Sequence, residues 1–246
     1  MKNTRGTLYI VGVGPGDPEL ITIKAIRTLK KCHTWLAPTA TVNGPSTALG
    51  IISGAMDING KEIINHHFPM KKIHRAETTD PEIQSSWDLA VYRINEKLEI
   101  GESVALPTLG DPSIYSTGLY VSETLLKLNP DTAITIIPGI SSICATAAAT
   151  GQSLCLGDER LIVIPAVFAD DTIRKTLKNF DVVVFMKVHK SMHRLVPILE
   201  EMKLLDQSVL VERSSMDNER VRCDIKTAMH EKLHYFSTMI VRRTRP

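Results

Sequence analysis

The sequence predicts an α/β protein of two α/β domains, the N-terminal one on a parallel sheet and the C-terminal one on a mixed sheet. Three observations predict it. Apolar runs of strand length alternate with segments whose apolar residues recur at helical spacing, the pattern of a parallel sheet covered by helices on both faces. The length of 246 residues suits one large domain or two small ones. After Gly151 the rhythm changes, and the chain closes on two strand-like segments with no long helix between them, as antiparallel strands would. The expected domains are residues 1–137 and 138–246.

Residues 7–13 (TLYIVGV) are β-branched and closed by glycines, as a fully buried strand is. Residues 19–32 place Leu20, Ile23, Ile26 and Leu29 at helical period. A second strand is expected at 34–37, a helix at 46–52 and a third strand at 62–68. Residues 81–100 give the clearest helix, with Ile83, Trp87, Val91, Ile94 and Leu98 on one face, Pro81 in the first turn and Gly101 past the end. A strand at 103–109, a helix at 113–128 stopped by Asn129-Pro130, and a strand at 133–137 complete the first half. In the second half, strands are expected at 161–164, 182–187 and 208–212, separated by helices at 172–179 and 191–203. Further strands are expected at 220–225 and 235–242.

Composition narrows the function classes. The charge of +2 and the 43% of hydrophobic residues belong to an ordinary globular chain and carry no electrostatic footprint of a nucleic-acid binder. No apolar run approaches the roughly 18 residues of a membrane span, and the N-terminus does not read as a signal peptide. The four cysteines form no CxxC pair. Neither a disulfide scaffold nor a thiolate zinc site is expected, and the protein is placed in a reducing cytoplasm.

Three strand–helix junctions carry small and hydroxyl residues. The first is Gly12-Val13-Gly14-Pro15-Gly16-Asp17. A dinucleotide fold wants G-x-G-x-x-G there, but the third glycine comes one residue early and Asp17 would repel a phosphate. The following strand also lacks the acidic residue that binds a ribose. Asp17 suits instead a helix cap. Gly54 to Glu62 miss a P-loop in spacing and lack its Ser or Thr. The second junction is Leu109-Gly110-Asp111-Pro112-Ser113-Ile114-Tyr115-Ser116-Thr117, and the third is Pro138-Gly139-Ile140-Ser141-Ser142. A tight turn with Asp111 as N-cap and Pro112 in the first helical turn accounts for Gly-Asp-Pro. It leaves the hydroxyl cluster unexplained, at the carboxyl edge where open α/β sheets bind ligands.

Scattered histidines argue against a metal centre. His66 and His67 are adjacent and point to opposite faces of a strand. His189 and His193 share a helix face only if that helix begins early enough, and no acidic partner accompanies either pair.

In that order and spacing, GVGPGDPELITIKA (residues 12–25), LGDPSIYST (109–117) and PGISS (138–142) resemble the tetrapyrrole (corrin and sirohaem) methyltransferases. The Tyr-Ser-Thr ending looks most like the precorrin-2 C-20 methyltransferases of cobalamin synthesis. Phe68-Pro69-Met70, Val184-Phe185-Met186-Lys187 and Tyr235-Phe236-Ser237-Thr238 extend the resemblance from about residue 8 to residue 243.

The resemblance implies an S-adenosylmethionine-dependent C-methyltransferase with its active site in a cleft between the two domains. The N-terminal domain would be the tetrapyrrole side, and the C-terminal domain would share the methyl-donor cleft. Carried over, Pro15 lines the trough, and Leu109, Gly110, Asp111, Tyr115, Ser116 and Thr117 hold the methionine and sulfonium part. Ser141 and Ser142 match positions at the start of the next helix. Met186, Glu212 and Arg213 form the adenine and ribose side, and Thr238 closes it. Asp111 and Tyr115 are the expected catalytic residues, as acceptors of the C-20 proton. No metal ligand is implied.

The implied substrate is a flat macrocycle fringed with carboxylates, precorrin-2 or its cobalt-bearing counterpart cobalt-factor II. Lys71-Lys72-Ile73-His74-Arg75 and the trio Lys187, His189 and Lys190 are the basic clusters able to meet those carboxylates. A homodimer without membrane or nucleic-acid partners is implied as well. The alternatives are the same chemistry at another ring position and, from outside the class, a cobalt chelatase or a nicotinamide-linked oxidoreductase.

Overall fold

The computed structural model describes residues 5–69, 71, 73 and 78–243. Of the sequence features above, Met70, Lys72, His74 and Arg75 lie outside the described residues. The chain divides into two units, Met1–Ser141 and Ser142–Pro246.

The first unit runs β1 (Leu8–Gly12), α1 (Ile23–Lys31), β2 (Thr34–Thr39), α2 (Thr47–Ala55), β3 (Glu62–His67), α3 (Pro81–Glu99), β4 (Val104–Thr108), α4 (Thr117–Leu128) and β5 (Ile134–Ile137). Its strands form one parallel sheet in the order β3-β2-β4-β1-β5. Alternation along β1 sorts the two faces. Leu8 and Ile10 join Leu36, Leu106 and the α3 and α4 side chains Ile94, Leu98, Val121 and Leu125. Val11, with Tyr9 packed against it, faces Trp35 and the α1 and α2 residues Leu29 and Ile52. Both faces are therefore dry, and each fully buried large side chain is worth about 1.5–3 kcal/mol. Within the core between α3 and α4, Trp87 stacks on Tyr120 with ring centroids 4.8 Å apart.

Topology directs the loops to one place. The exit of β1 leads to α1 on one face of the sheet, whereas the exit of the neighbouring β4 leads to α4 on the other. The β1/β4 carboxyl edge is thus the switch point at which such sheets bind ligands.

Two expected caps fall elsewhere. Asp17 caps a short 3-10 turn, Pro18–Leu20, accepting the Glu19 N–H at 2.8 Å, and α1 is capped by Thr22. The helix expected from residue 113 begins at Thr117 with Ser116 as its cap, so Asp111 is not a helix cap.

The second unit runs α5 (Ser142–Thr150), β6 (Leu161–Pro165), α6 (Asp170–Asn179), β7 (Val182–Met186), α7 (Met192–Glu201), β8 (Ser208–Glu212), β9 (Arg220–Arg222), α8 (Ile225–Ala228) and β10 (Ser237–Arg242). Its sheet is mixed, in the order β6-β7-β10-β8-β9. β6 and β7 are parallel, and β10 lies between β7 and β8, antiparallel to both. The two closing strands do not pair with each other, because β9 pairs with β8 at the sheet edge. Phe185, Leu195, Leu199, Leu210 and Met239 form its core. The helix α7 begins at Met192, too late for His189 to share a face of it with His193.

Candidate functional site

Three loops leave the first sheet at the β4-β1-β5 edge and are joined through their backbones. Val13 N–H donates to the Thr108 carbonyl at 2.9 Å, and Gly110 N–H donates to the Gly14 carbonyl at 2.7 Å. A Cβ on Gly12 would lie 2.8 Å from the Gly110 oxygen and 2.7 Å from the Gly139 nitrogen, so this approach excludes any side chain there. Gly14 and Gly110 adopt φ of 82° and 73°, the left-handed region glycine tolerates without cost. Pro15 is buried beside this junction.

Asp111 fastens the same junction through its side chain. Its Oδ2 accepts the Gly139 N–H at 2.9 Å, while its Oδ1 accepts the Ser113 N–H at 2.8 Å and the Ser113 hydroxyl. Burial raises the carboxyl pKa, but the hydrogen bonds from Ser113 and Gly139 outweigh it and hold the group below its ordinary value. At neutral pH Asp111 is a fixed negative charge on a rigid loop. Tyr115 follows in left-handed backbone, φ 51°, with its residue 52% exposed. Partial desolvation raises its phenol above the ordinary value, so the hydroxyl keeps its proton at neutral pH.

Ser116 Oγ accepts the Gly118 N–H at 3.1 Å and lies 3.3 Å from Thr108 Oγ1, which ties the start of α4 back to β4. Leu109 and Thr117 flank this loop half-buried. Ser141 and Ser142 are half-buried and straddle the division between the units, with Ser142 opening α5.

The sequence-derived residues of the second unit meet at one sheet edge. Strand register places Thr238 opposite Met186 and Ser237 opposite Glu212, so the start of β10 lies between the ends of β7 and β8. Glu212 is 2% exposed, its Oε1 accepting the His234 N–H at 2.7 Å. Its Oε2 lies 3.2 Å from the Arg220 guanidinium, an ionic contact without hydrogen-bond geometry. Arg213 leaves β8 in left-handed backbone at φ 55°.

Buried polar atoms without a hydrogen-bond partner collect at this edge. They are Glu212 Oε2, Arg213 Nε, Ser215 Oγ, Ser237 Oγ and His189 Nδ1. Leaving such atoms unpaired costs roughly 1–3 kcal/mol each, so donors and acceptors lined up this way fit a ligand that carries both. Sequence reasoning passed over Ser215, Ser237 and Gly139. Of these, Gly139 and Ser237 stood within quoted segments without being assigned a role, and the sheet register sets Ser237 opposite Glu212; Ser215 stood in none.

The comparisons agree with this architecture. Residues 7–228 match the family model of the Tetrapyrrole (Corrin/Porphyrin) Methylases. The chain is 35% identical to the probable cobalt-precorrin-2 C(20)-methyltransferase of Methanocaldococcus jannaschii, over 87% of this chain and 85% of that protein. It is 28% identical to the cobalt-precorrin-2 C(20)-methyltransferase of Salmonella typhimurium, over 97% of each. Among solved structures it shares its fold with the uroporphyrin-III C-methyltransferase of Thermus thermophilus complexed with S-adenosylhomocysteine, at a TM-score of 0.67 and 19% identity over 96% of this chain and 97% of that one. A family match across nine-tenths of the length, on a two-unit fold that the same family's structures share, makes this chain a member of the tetrapyrrole (corrin/porphyrin) methylases.

Proposed function

We propose that this enzyme transfers the methyl group of S-adenosylmethionine to C-20 of precorrin-2 or cobalt-factor II in cobalamin biosynthesis. The observation that carries the reading is the likeness, along nearly the whole chain, to proteins named for methylation at this carbon.

The residues present suit the methyl donor. The carboxylate, hydroxyl and guanidinium atoms at the second unit's edge that lack a hydrogen-bond partner match the hydroxyls and ring nitrogens of an adenosine. To that part we assign Met186, Glu212, Arg213 and Thr238. To the methionine and sulfonium part we assign Pro15, Leu109, Gly110, Asp111, Tyr115, Ser116 and Thr117, with Ser141 and Ser142 beside them.

When bound, S-adenosylmethionine supplies an electrophilic methyl on a sulfonium. No enzyme nucleophile is required, so the chain's work is orientation and exclusion of water, worth about 7–11 kcal/mol at best. The Asp111 carboxylate, fixed by Ser113 and Gly139, offers a negative charge that needs no reorganisation to favour a cation. Being ionised at neutral pH, Asp111 is also the one of the two expected acceptors able to take the C-20 proton without first losing its own. Tyr115, a phenol at that pH, serves as a hydrogen-bond donor.

The reading includes a homodimer, supported by the family resemblance, and a cytoplasmic location, supported by four free cysteines. Among the described residues no helix is long and apolar enough to cross a membrane.

The test is an anaerobic transfer assay with methyl-labelled S-adenosylmethionine, offering precorrin-2 and cobalt-factor II side by side. Label on C-20 of one macrocycle is the expected result and identifies the metal state of the substrate. Label on another ring carbon moves the reading to a sister reaction. Binding of the donor without transfer to either macrocycle overturns the substrate assignment.

A further inference from the structure

The turn after β7 is built unlike a simple connection. Lys187 sits in left-handed backbone, φ 59° and ψ 40°, a conformation that costs a non-glycine residue energy and concentrates at binding sites. The turn carries Lys187 Nζ over the Tyr235 ring, 5.9 Å from its centroid. His189 meets the same ring edge-on at 5.2 Å, and Phe236 packs against Tyr235 from 5.4 Å. His189 Nδ1 is buried with no partner.

The electrostatics are one-sided. Burial lowers the His189 pKa and the charges of Lys190, His234 and Lys187 lower it further, against a backbone hydrogen bond at Lys187 that raises it; Lys190 closes the same short turn, Val188–Lys190. Among the described residues no carboxylate pairs with Lys187 or Lys190. The nearby Glu212 is already engaged by the His234 N–H and the Arg220 guanidinium. An aromatic face bordered by unpaired ammonium groups suits a flat, carboxylate-bearing molecule: the ring stacks, and the ammoniums take its anionic side chains.

We propose that Lys187 and Lys190, with the face of Tyr235, are specificity-determining residues that bind the peripheral carboxylates of the tetrapyrrole substrate. This rests on the methyltransferase reading above and adds to it the residues that recognise the macrocycle. The two lysines act on the acceptor molecule and leave the methyl donor to the neighbouring strand ends.

The experiment measures equilibrium binding of precorrin-2 under anaerobic conditions by absorbance, with no methyl donor present, alongside calorimetric binding of S-adenosylhomocysteine. Lys190→Gln changes an exposed side chain; Lys187→Gln and Lys187→Arg test the left-handed position. Each Gln variant is expected to raise the precorrin-2 Kd about tenfold, the worth of one charge-assisted hydrogen bond. S-adenosylhomocysteine affinity stays within about twofold of the wild type, and Lys187→Arg restores most of the macrocycle affinity. Raising the salt concentration weakens macrocycle binding less in the Gln variants than in the wild type.

Wild-type affinity for precorrin-2 in both Gln variants overturns the proposal and leaves the functional reading intact. An equal loss of S-adenosylhomocysteine binding also overturns it, by giving the cluster to the donor. A wild type that binds S-adenosylhomocysteine but no tetrapyrrole overturns the functional reading itself, and the proposal with it.

Discussion

Asp111 and Gly139 are joined by one hydrogen bond, from the Gly139 N–H to Asp111 Oδ2 at 2.9 Å, across 28 residues of sequence. That bond fixes the exit of β4 against the exit of β5 at the edge where the methyl donor is assigned. Asp111→Asn puts an amide in place of an acceptor that takes three hydrogen bonds. The expected cost is about 1–3 kcal/mol, read from urea unfolding, with weaker S-adenosylhomocysteine binding by calorimetry. Because the folded pKa of Asp111 lies below its ordinary 3.8, the stabilisation is complete above that value. It is lost as pH falls through the folded pKa. The difference between wild type and Asp111→Asn therefore shrinks in acid below pH 3.8, and a constant difference would refute the assignment.

Two glycine-to-alanine changes are expected to move stability in opposite directions. In Gly139→Ala the new Cβ would collide with the Gly110 carbonyl oxygen, whereas at Gly50 it would meet nothing within 4 Å. Gly50 lies inside α2, where alanine is favoured by about 0.5–1 kcal/mol. Thermal melts should show Gly50→Ala more stable than the wild type and Gly139→Ala destabilised by about 1–3 kcal/mol, the usual range for overpacking.

His66 makes the fold sensitive to mild acid. It is 3% exposed, with Nε2 2.9 Å from the Ser86 carbonyl and Nδ1 3.5 Å from the Arg93 guanidinium. Burial first, then the charges of Arg93 and His67, lower its pKa against the raising effect of the Ser86 carbonyl. Below the ordinary value of 6.5 the unfolded chain binds a proton that the folded one refuses. This residue's share of stability therefore falls with pH, by at most about 1.4 kcal/mol per unit, and is retained above it. His66→Gln should flatten that part of the melting temperature profile between pH 5 and 7, the range set by the ordinary histidine pKa. An unchanged slope would contradict it.

Cysteine reactivity divides the same way as burial. Cys144, Cys155 and Cys223 are exposed, whereas Cys32 is buried and burial pushes its thiol up to about 11. Alkylation of the native protein near pH 8 should label the three exposed thiols, with Cys32 modified only after unfolding, as mass spectrometry of the peptides would show. Labelling of Cys32 in the native state would mean that the α1 end of the core opens.

Local pattern made most of the fold legible. Ile83, Trp87, Val91, Ile94 and Leu98 marked α3 because burial on one face imposes a 3.6-residue repeat. Residues 8–12 marked β1 because a strand covered on both faces has no polar positions. What escaped depended on tertiary geometry. Gly-Asp-Pro has the composition of a helix start, and only the approach of Gly139 gives Asp111 a partner better than a helix end. The insertion of β10 between β7 and β8 was likewise hidden, since strand order is set by contacts between segments far apart in sequence. At the site, the motif glycines were readable, but Ser237 matters through the register that sets it opposite Glu212.

The central place of β10 governs the order in which the second sheet can be made. Val182–Met186 and Ser208–Glu212 leave the ribosome before the strand that separates them, and each then presents an open, hydrophobic edge. The first unit has all five of its strands by Ile137 and can close while translation continues. The second waits for residues 237–242, so a nascent chain arrested before them displays two strands able to pair wrongly with each other or with a neighbouring chain.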